Sequence, residues 1–333
     1  MNASFFNRDI LVRETTWRRG VVPEQLIQSI SIKIKAMRTI SGTTSLVGVL
    51  GSPVRHSLSP IIHNAALDEM GLDWCYLAIP CEPQYLKSTV EALSNMNCKG
   101  LNITIPHKEK SLNLCNEISV VSRVIGAINT LIPDKKGGWT GDNTDIEGFL
   151  EPLKNQNWQN KTAMILGSGG SSRAVITGIK KIGFKNISVV GRNKNKLNNL
   201  IKEMNLISTT SDQSSSEIKG ILQEDLKLIE YVKNSDLIVN ATPIGMSNTS
   251  TEVNMPLGSD IWRHLKKDST LYDLIYTPRP TEWLRNGAKM NCNIIDGLDM
   301  LIHQGAASLR LWSDFKEIPI RKMKYAALNY LNS

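Results

Sequence analysis

Apolar strand-like segments alternate with helix-like segments along most of this chain, and this alternation limits the fold more than any other feature. LVGVLG (46–51) has the apolar character of a strand, and IIHNAALDEMG (61–71) has a helical period closed by a glycine. WCYLAIP (74–80) is a second strand and LKSTVEALSNM (86–96) a second helix. Strand, helix, strand and helix in this order predict an α/β fold with a sheet rich in parallel pairs.

The alternation starts again after a helical connector that ends near Trp158. The second series consists of predicted strands at 162–167, 187–192, 236–242 and 270–276, with helices at about 171–182 and 194–204. A chain of 333 residues is also long for one hydrophobic core. We therefore predict two α/β domains.

The composition argues against several classes of function. No stretch approaches the roughly 20 apolar residues of a membrane span, and the start lacks the apolar core of a signal peptide. Five cysteines lie far apart without a CxxC pair, which indicates neither a disulfide framework nor a metal site. The net charge of +8 is not gathered into a basic stripe with interleaved aromatics. We expect a cytoplasmic protein that binds a small anionic ligand, with neither nucleic acid nor membrane as a partner.

A glycine-rich turn directly follows the predicted strand at 162–167. The turn consists of Gly167, Ser168, Gly169, Gly170 and Ser171. Strand, glycine turn and helix are the arrangement of a dinucleotide site, because glycine lets the backbone approach the pyrophosphate and the helix N-terminus offers unpaired N–H donors. Ser172 replaces the third glycine of the usual pattern. A plain glycine turn that opens a helix is therefore the alternative.

The end of the next predicted strand distinguishes the two nicotinamide cofactors. A site for NAD would place an acid there to bind the ribose 2′-hydroxyl, whereas a 2′-phosphate requires cations. Here the strand ends in Gly191, Arg192 and Asn193, with Lys194 and Lys196 after it. We therefore predict NADP, with Arg192, Asn193 and Lys196 as cofactor contacts. The alternative is that Arg192 is an ordinary charge at a strand end.

A lysine and an aspartate in two separate motifs are candidates for acid/base chemistry. Asn102 to Ile105 alternates polar and apolar residues as a strand does, and Pro106 ends it, which places Lys108 just past a strand end. GDNTD (141–145) is rich in turn residues and places Asp145 in a loop. If the two side chains face each other, they form an acid/base pair. The alternative is a solvated lysine and a turn aspartate, since surface pairs are common.

These motifs together resemble those of the shikimate dehydrogenase family, including its quinate/shikimate branch, from about residue 45 to 330. Nine segments carry the resemblance in family order: GSPVRHSLSP (51–60), LNITIPHK (101–108), GAINT (126–130), GDNTD (141–145), GSGGSSR (167–173), GRNKNK (191–196), NATPIGM (240–246), YDLIYTP (272–278) and DGLDMLIHQG (296–305). The order and spacing of all nine make the resemblance specific.

The resemblance implies roles for individual residues of this sequence. Lys108 would act with Asp145 in catalysis. The substrate-binding residues would be Ser57 and Ser59 at the carboxylate, Thr104, Asn129, Asp145 and Gln304 at the hydroxyls, and Tyr276. Leu274 and Gly297 would lie near the nicotinamide. Ser59 has an alternative role as a helix N-cap, with Pro60 at the first helical position.

The resemblance also implies a domain organisation. Residues 45–145 and 297–333 would form the substrate-binding catalytic domain, because the amphipathic segment after residue 296 carries Gln304. Residues 146–296 would form a Rossmann-like NADP-binding domain, with the active-site cleft between the two. Residues 1–44 are an N-terminal extension of unknown role, and a homodimer stays open.

The function implied is the NADP-dependent, reversible interconversion of 3-dehydroshikimate and shikimate, a step towards chorismate and the aromatic amino acids. One alternative is a quinate/shikimate dehydrogenase that uses NAD. Another is a non-catalytic NADP-binding regulatory protein on the same scaffold. Two departures from the family pattern lie in the site motifs: Ile146-Glu147-Gly148 after Asp145, and Asp299 before Met300.

Overall fold

The computed structural model describes residues 39–207, 216–246 and 255–333, apart from the side chains of Ile207, Ser259 and Trp262. These residues form two six-stranded sheets. Within the same ranges, no helix is both long and apolar enough to cross a membrane. The α/β class predicted from the alternation of strands and helices is confirmed.

The first sheet contains the strands of the first half of the chain. They are β1 Ser45–Gly51, β2 Trp74–Pro80, β3 Gly100–Ile103, β4 Glu117–Ile118, β5 Thr130–Pro133 and β6 Trp139–Asp142. Their order is β2-β1-β3-β5-β6-β4, and β5 runs antiparallel to both of its neighbours while the other pairs are parallel. The helices of this part are α1 Ser59–Glu69, α2 Leu86–Asn95 and α3 Val120–Ile125.

The GDNTD segment is not the loop that the sequence predicts. Gly141 and Asp142 end β6, and Asp145 is the first residue of helix α4, Asp145–Leu150. The sequence pattern predicted no strand at either β5 or β6. Pairing between these strands sets the register, since the backbone N–H of Asn129 donates to the carbonyl of Asp142 at 3.1 Å. The register brings Asn129 beside the start of α4.

The second sheet is entirely parallel. Its strands are β7 Thr162–Leu166, β8 Asn186–Gly191, β9 Glu217–Leu222, β10 Leu237–Asn240, β11 Thr270–Asp273 and β12 Asn293–Ile295, in the order β12-β11-β10-β7-β8-β9. Its helices are α5 Gly170–Lys181, α6 Lys194–Ile207, α7 Leu228–Asn234, α8 Ser259–Trp262 and α9 Glu282–Lys289. The strand order is that of a Rossmann dinucleotide-binding fold, which confirms the predicted fold class. The order reverses between β7 and β10, and ligands bind such sheets in the crevice at that point.

The last two helices of the chain pack on the first sheet's side. They are α10 Leu298–Trp312 and α11 Ile320–Leu331. One apolar cluster joins Leu298, Ile302 and Leu309 of α10 to Val47 of β1 and Ile62 of α1. Helix α10 also packs against α4, which leads into the second sheet. The chain therefore returns to the first sheet after completing the second, while the residue limits given above for the two domains stay a prediction.

Candidate active site

Lys108 and Asp145 form a close ion pair. The chain turns after β3, where His107 N–H donates to the Thr104 carbonyl at 2.9 Å, and this turn directs Lys108 towards α4. Lys108 Nζ lies 2.5 Å from Asp145 Oδ2, and the side chains are only 14% and 5% exposed. The alternative of a solvated lysine and a separate turn aspartate is therefore wrong. The catalytic role of the pair stays a prediction.

Asn129 connects this pair to its surroundings. The two N–H groups of its Nδ2 are shared among three acceptors, Asp145 Oδ1 at 2.7 Å, Thr144 Oγ1 at 2.9 Å and Gln304 Oε1 at 3.3 Å. Its Oδ1 accepts from the backbone N–H of Thr144 at 2.8 Å. Asp145 also lies in the first turn of α4, where the helix dipole favours a negative charge. Three predicted substrate residues, Asn129, Asp145 and Gln304, are thus brought together.

The paired serines lie at the start of α1. Ser57 Oγ accepts from the backbone N–H of Ser59 at 3.2 Å, so the two side chains belong to one turn. Helix α1 begins at Ser59 with Leu58 in the N-cap position and no side-chain cap, so the N-cap alternative for Ser59 is wrong, and Pro60 is the second helical residue. The Ser59 hydroxyl therefore does not cap helix α1.

Tyr276 lies near these serines, and Thr104 lies beside the end of β1. Burial raises the pKa of the Tyr276 phenol, opposed by hydrogen bonds with the Leu58 backbone and the Ser57 side chain. Thr104 packs closely on the end of β1, since a Cβ at Gly51 would lie 2.3 Å from its Cγ2. The structure therefore brings Tyr276 and Ser57 together, and glycine at position 51 makes room for Thr104.

A cavity of about 410 Å³ follows the carboxyl ends of β7, β8 and β10. Its lining includes Lys108, Gly167, Ser168, Gly169, Gly170, Ser171, Arg192, Asn193 and Lys196. The cavity lies at the point where the strand order reverses, as the fold predicts. It therefore reaches from the predicted catalytic lysine to the cations after β8.

The glycine-rich turn has the geometry of a phosphate-binding loop. Gly167 has a φ of +113°, which side chains rarely adopt, and nothing lies within 4 Å of where a Cβ of Gly169 would be. Helix α5 begins at Gly170 and presents its N-terminal N–H groups to the cavity. A Cβ at Gly170 would lie 3.3 Å from Lys108 Cβ, so this turn also contacts the first sheet's side. The residues present fit a bound dinucleotide.

The cations predicted to bind a 2′-phosphate are exposed at the other end of the cavity. Arg192 follows β8, and Asn193 Oδ1 caps α6 by accepting from the backbone N–H of Lys196 at 3.0 Å. This cap gives Asn193 a structural task as well. Arg192 and Lys196 line the cavity together, and no acidic residue follows β8 before α6 begins.

Leu274 and Gly297 touch each other beyond this cavity. A Cβ at Gly297 would lie 2.1 Å from the Leu274 carbonyl oxygen, so only glycine allows this approach. Neither residue is part of the cavity lining. The structure therefore places them side by side, and their contact with a nicotinamide stays a prediction.

Several cavity residues were not predicted. Thr242, Pro243 and Ile244 line it from the loop after β10, and Gln223 lines it after β9. Their motif NATPIGM supported only the family resemblance, although the carboxyl end of the strand next to β7 is where a Rossmann sheet receives its ligand. The position of β10 beside β7 is decided by strand order, which the local sequence does not show.

A buried carboxylate supports this loop. Asp273 Oδ1 accepts from Asn240 Nδ2 at 3.0 Å, and Asn240 Oδ1 accepts from Thr242 Oγ1 at 2.6 Å. Thr281 Oγ1 donates to Asp273 Oδ2 at 2.8 Å. Burial raises the pKa of the Asp273 carboxyl from 3.8 to about 6. Asp273 therefore joins the end of β11 to the loop that lines the cavity.

The two departures from the family pattern have separate structural consequences. A Cβ at Gly148 would lie 2.5 Å from the Met300 carbonyl oxygen, so this glycine allows α4 to pack on α10. Glu147 pairs with Arg310 on α10. Asp299 is 41% exposed and pairs with Lys324 of α11 at 2.6 Å. The Asp299 carboxylate therefore bonds within the helical layer and does not join the Asn129 cluster.

Comparisons with known proteins agree with this geometry. A family model of the shikimate dehydrogenase substrate binding domain matches residues 49–131, and one of the shikimate 5′-dehydrogenase C-terminal domain matches residues 297–328. A shikimate dehydrogenase (NADP(+)) of Prochlorococcus marinus strain MIT 9312 is 46% identical over 88% of this chain and 100% of its own length.

Solved structures show the same architecture. Shikimate 5-dehydrogenase of Thermus thermophilus, in complex with NADP(H) and shikimate, superposes with a TM-score of 0.72 at 28% identity, covering 86% of this chain and 99% of that one. Quinate dehydrogenase of Corynebacterium glutamicum, in complex with NAD, gives 0.74 at 26% identity, covering 86% and 99%. Because both activities occur on this fold, the fold alone does not distinguish the substrate or the cofactor, and the side chains of the site must do so.

Proposed function

Because the chain belongs to the shikimate dehydrogenase family, we propose that it catalyses the NADP-dependent, reversible interconversion of 3-dehydroshikimate and shikimate. One observation carries the proposal: Lys108, which is paired with the buried Asp145, lines a cavity that continues along the glycine-rich turn to Arg192. An acid/base pair and a cationic nucleotide site in one cleft are what a dehydrogenase of a hydroxylated acid requires.

The protein's own residues would hold the substrate around the ion pair. The paired hydroxyls of Ser57 and Ser59 are suited to donate to a carboxylate, and Tyr276 lies beside Ser57. Asn129 and Gln304 would bind hydroxyls from the other side, and Thr104 completes the set after β3. A carboxylate at one end and hydroxyls at the other fix which carbon faces the cofactor.

Lys108 would move the proton. Oxidation of the secondary alcohol breaks its C–H and O–H bonds, and bound NADP⁺ would supply the hydride acceptor. In the oxidising direction the neutral Lys108 amine would take the hydroxyl proton, and the ammonium so formed would stabilise the negative charge that develops on the substrate oxygen. In the reducing direction the Lys108 ammonium donates that proton to the carbonyl oxygen. Asp145, whose Oδ2 lies 2.5 Å from Lys108 Nζ, would orient the ammonium and accept a hydrogen bond from a substrate hydroxyl.

The cofactor would lie along the rest of the cavity. The turn Gly167 to Ser171 and the N-terminus of α5 would bind the pyrophosphate. Arg192 and Lys196 would pair with the 2′-phosphate, with Asn193 between them, and the absence of an acid after β8 disfavours NAD. Leu274 and Gly297 would lie towards the nicotinamide. The cytoplasmic location and a homodimer also stay part of this proposal.

Turnover of the purified protein tests the proposal. Shikimate is offered with NADP⁺ and with NAD⁺, and quinate is offered with both cofactors, while the reduced cofactor is followed by its absorbance. We expect a kcat/KM for shikimate with NADP⁺ that exceeds the other three combinations by at least about tenfold, which corresponds to about 1.4 kcal/mol. Faster turnover of quinate with NAD⁺ would favour the alternative dehydrogenase. Cofactor binding without any turnover would favour the non-catalytic alternative.

A further inference from the structure

Arg173 belongs to the glycine-rich motif but has no part in the chemistry proposed above. It lies in the first turn of α5, and its side chain is only 11% exposed. Its Nη2 lies 2.5 Å from Glu203 Oε2 of α6, and its Nη1 donates to the Ile125 carbonyl at 3.4 Å. Among the described atoms, its buried Nε has no partner. A guanidinium buried with incomplete bonding costs stability, so packing alone does not account for it.

The carbonyl that Arg173 contacts ends helix α3. Gly126 follows Ile125 in the left-handed conformation with a φ of +69°. The carbonyls at a helix C-terminus carry partial negative charge, which favours a nearby cation. A Cβ at Gly126 would lie 3.0 Å from Arg173 Nη1, so the guanidinium rests directly on this turn. Arg173 thereby joins α3, from the first sheet's side, to α5 and α6 of the second.

The three residues after Gly126 lead straight into the candidate active site. The Ala127 carbonyl accepts from Asn143 Nδ2 at 2.9 Å. The backbone N–H of Ile128 donates to the Lys108 carbonyl at 2.8 Å, and Asn129 Nδ2 donates to Asp145 Oδ1 at 2.7 Å. A displacement of Ile125 would therefore be passed to the backbone of Lys108 and to the carboxylate of Asp145.

The glycine-rich turn lies at the same N-terminal end of α5 as Arg173. Helix α5 starts at Gly170, and a Cβ added to this glycine would lie 3.3 Å from Lys108 Cβ. Apolar packing at this junction is slight, with Ile125, Ala127, Ile146 and Ala174 as the buried members of one small cluster. Because this cluster is small, the contact of Arg173 with the Ile125 carbonyl contributes a large part of what holds α3 against α5.

We propose that Arg173 is a positioning residue that holds the segment from Ile125 to Asn129 against α5 and so sets the approach of Lys108 to the glycine-rich turn. The inference rests on the proposed function. Glu203 orients the guanidinium, but its side chain is 52% exposed, so solvent screens the pair and Glu203 matters less than Arg173 itself.

Three variants and one matched control test this role. Arg173→Met keeps an unbranched stem and removes both polar contacts, Arg173→Lys keeps the charge but lacks the planar fork that reaches two partners, and Glu203→Gln removes only the charge of the partner. The control is Lys266→Met, which breaks another 2.5 Å ion pair of the second sheet's side, with Asp236, away from the cavity.

The first readout is kinetic. For Arg173→Met we expect kcat to fall about ten- to a hundredfold, since a displacement of about 1 Å at a reacting group can cost that much. We also expect a larger isotope effect on kcat when the oxidised carbon of shikimate carries deuterium, because hydride transfer becomes slower relative to product release. The losses should rank Arg173→Met, then Arg173→Lys, then Glu203→Gln, and Lys266→Met should match the parent.

The second readout does not depend on activity. Amide hydrogen exchange at Ile128 should be faster in Arg173→Met than in the parent or in Lys266→Met, because the segment is less firmly held. A parent protein that fails to oxidise shikimate refutes the proposed function and leaves this exchange test intact. Parental kcat, isotope effect and Ile128 exchange in Arg173→Met would overturn the positioning role. A lower thermal midpoint with unchanged kcat per folded molecule would overturn it as well.

Discussion

Replacing Lys108 with Met separates the chemical role of the ion pair from its structural one. Methionine keeps most of the apolar stem, which is 14% exposed in Lys108, and removes only the ammonium. A positioned acid/base group contributes roughly two to four decades in rate, or about 2.7 to 5.4 kcal/mol of barrier. We therefore expect kcat for shikimate oxidation to fall by roughly two to four decades while KM changes comparatively little.

The same substitution leaves Asp145 without its cation. The carboxylate is 5% exposed and keeps one hydrogen bond from Asn129 Nδ2 at 2.7 Å, as well as the favourable end of α4. These remaining contacts keep the cost below the roughly 3 to 5 kcal/mol of a fully uncompensated buried charge, so we expect a loss of about 1 to 3 kcal/mol in the free energy of unfolding. Adding Asp145→Asn should recover part of that loss.

Two assays on the same preparations decide the matter. NADPH formation at saturating shikimate gives kcat, and urea unfolding gives stability for the parent, both single variants and the double variant. Lys108→Arg serves as a charge-retaining control and should stay slow, because a guanidinium keeps its proton and has a different shape. A Lys108→Met protein with parental kcat and a raised KM would refute the acid/base assignment and make Lys108 a binding residue.

The remaining predictions concern the cofactor, pH and packing. Arg192→Ala should raise KM for NADP⁺ about ten- to a hundredfold but leave KM for NAD⁺ nearly unchanged, because only NADP⁺ carries the 2′-phosphate; equal effects in steady-state kinetics would contradict the assignment. Asp273 has a pKa raised by burial from 3.8 to about 6, so its folded form holds the proton more tightly and its contribution to stability is lost as pH rises from about 4 through about 6. The parent should lose about 3 kcal/mol in the free energy of unfolding over this pH range, and Asp273→Asn should not, when both are unfolded with urea. The same pH dependence in both proteins would contradict this assignment. Gly148→Ala should raise KM for shikimate at least severalfold, because its Cβ would lie 2.5 Å from the Met300 carbonyl oxygen and 2.9 Å from Gln304 Cβ; an unchanged KM and thermal midpoint would show that α10 adapts.

Sequence pattern located most regular elements because their apolar periodicity is local. The strand predicted at 74–80 is confirmed residue for residue, and those at 46–51, 162–167 and 187–192 are confirmed to within one residue. The strand predicted at 270–276 ends at Asp273, because the chain there leaves the sheet to form the turn before Tyr276. Apolar residues that continue past a sheet edge look the same in the sequence as those within it.

The candidate site was predicted as residue types, and the tertiary structure decided which of them meet. Lys108, Asn129 and Gln304 are far apart in the chain, and their hydrogen-bond distances depend on the antiparallel pairing of β5 with β6 and on the return of α10. The prediction that Asp145 lies in a loop is wrong, because tertiary pairing extended β6 and let α4 begin at that residue. Such pairings join distant segments, so no local pattern records them.

The sequence by itself determined the α/β class, the glycine-rich turn and the cations after β8, because each depends on neighbouring residues and on backbone rules that act over a few positions. Only the tertiary structure decided that β10 lies beside β7, that Thr242 therefore lines the cavity, and that Arg173 joins α3 to α5 and α6. The physical reason is that strand order and helix contacts are chosen by burial of surfaces far apart in the chain, and a side chain acquires a partner only once those surfaces meet.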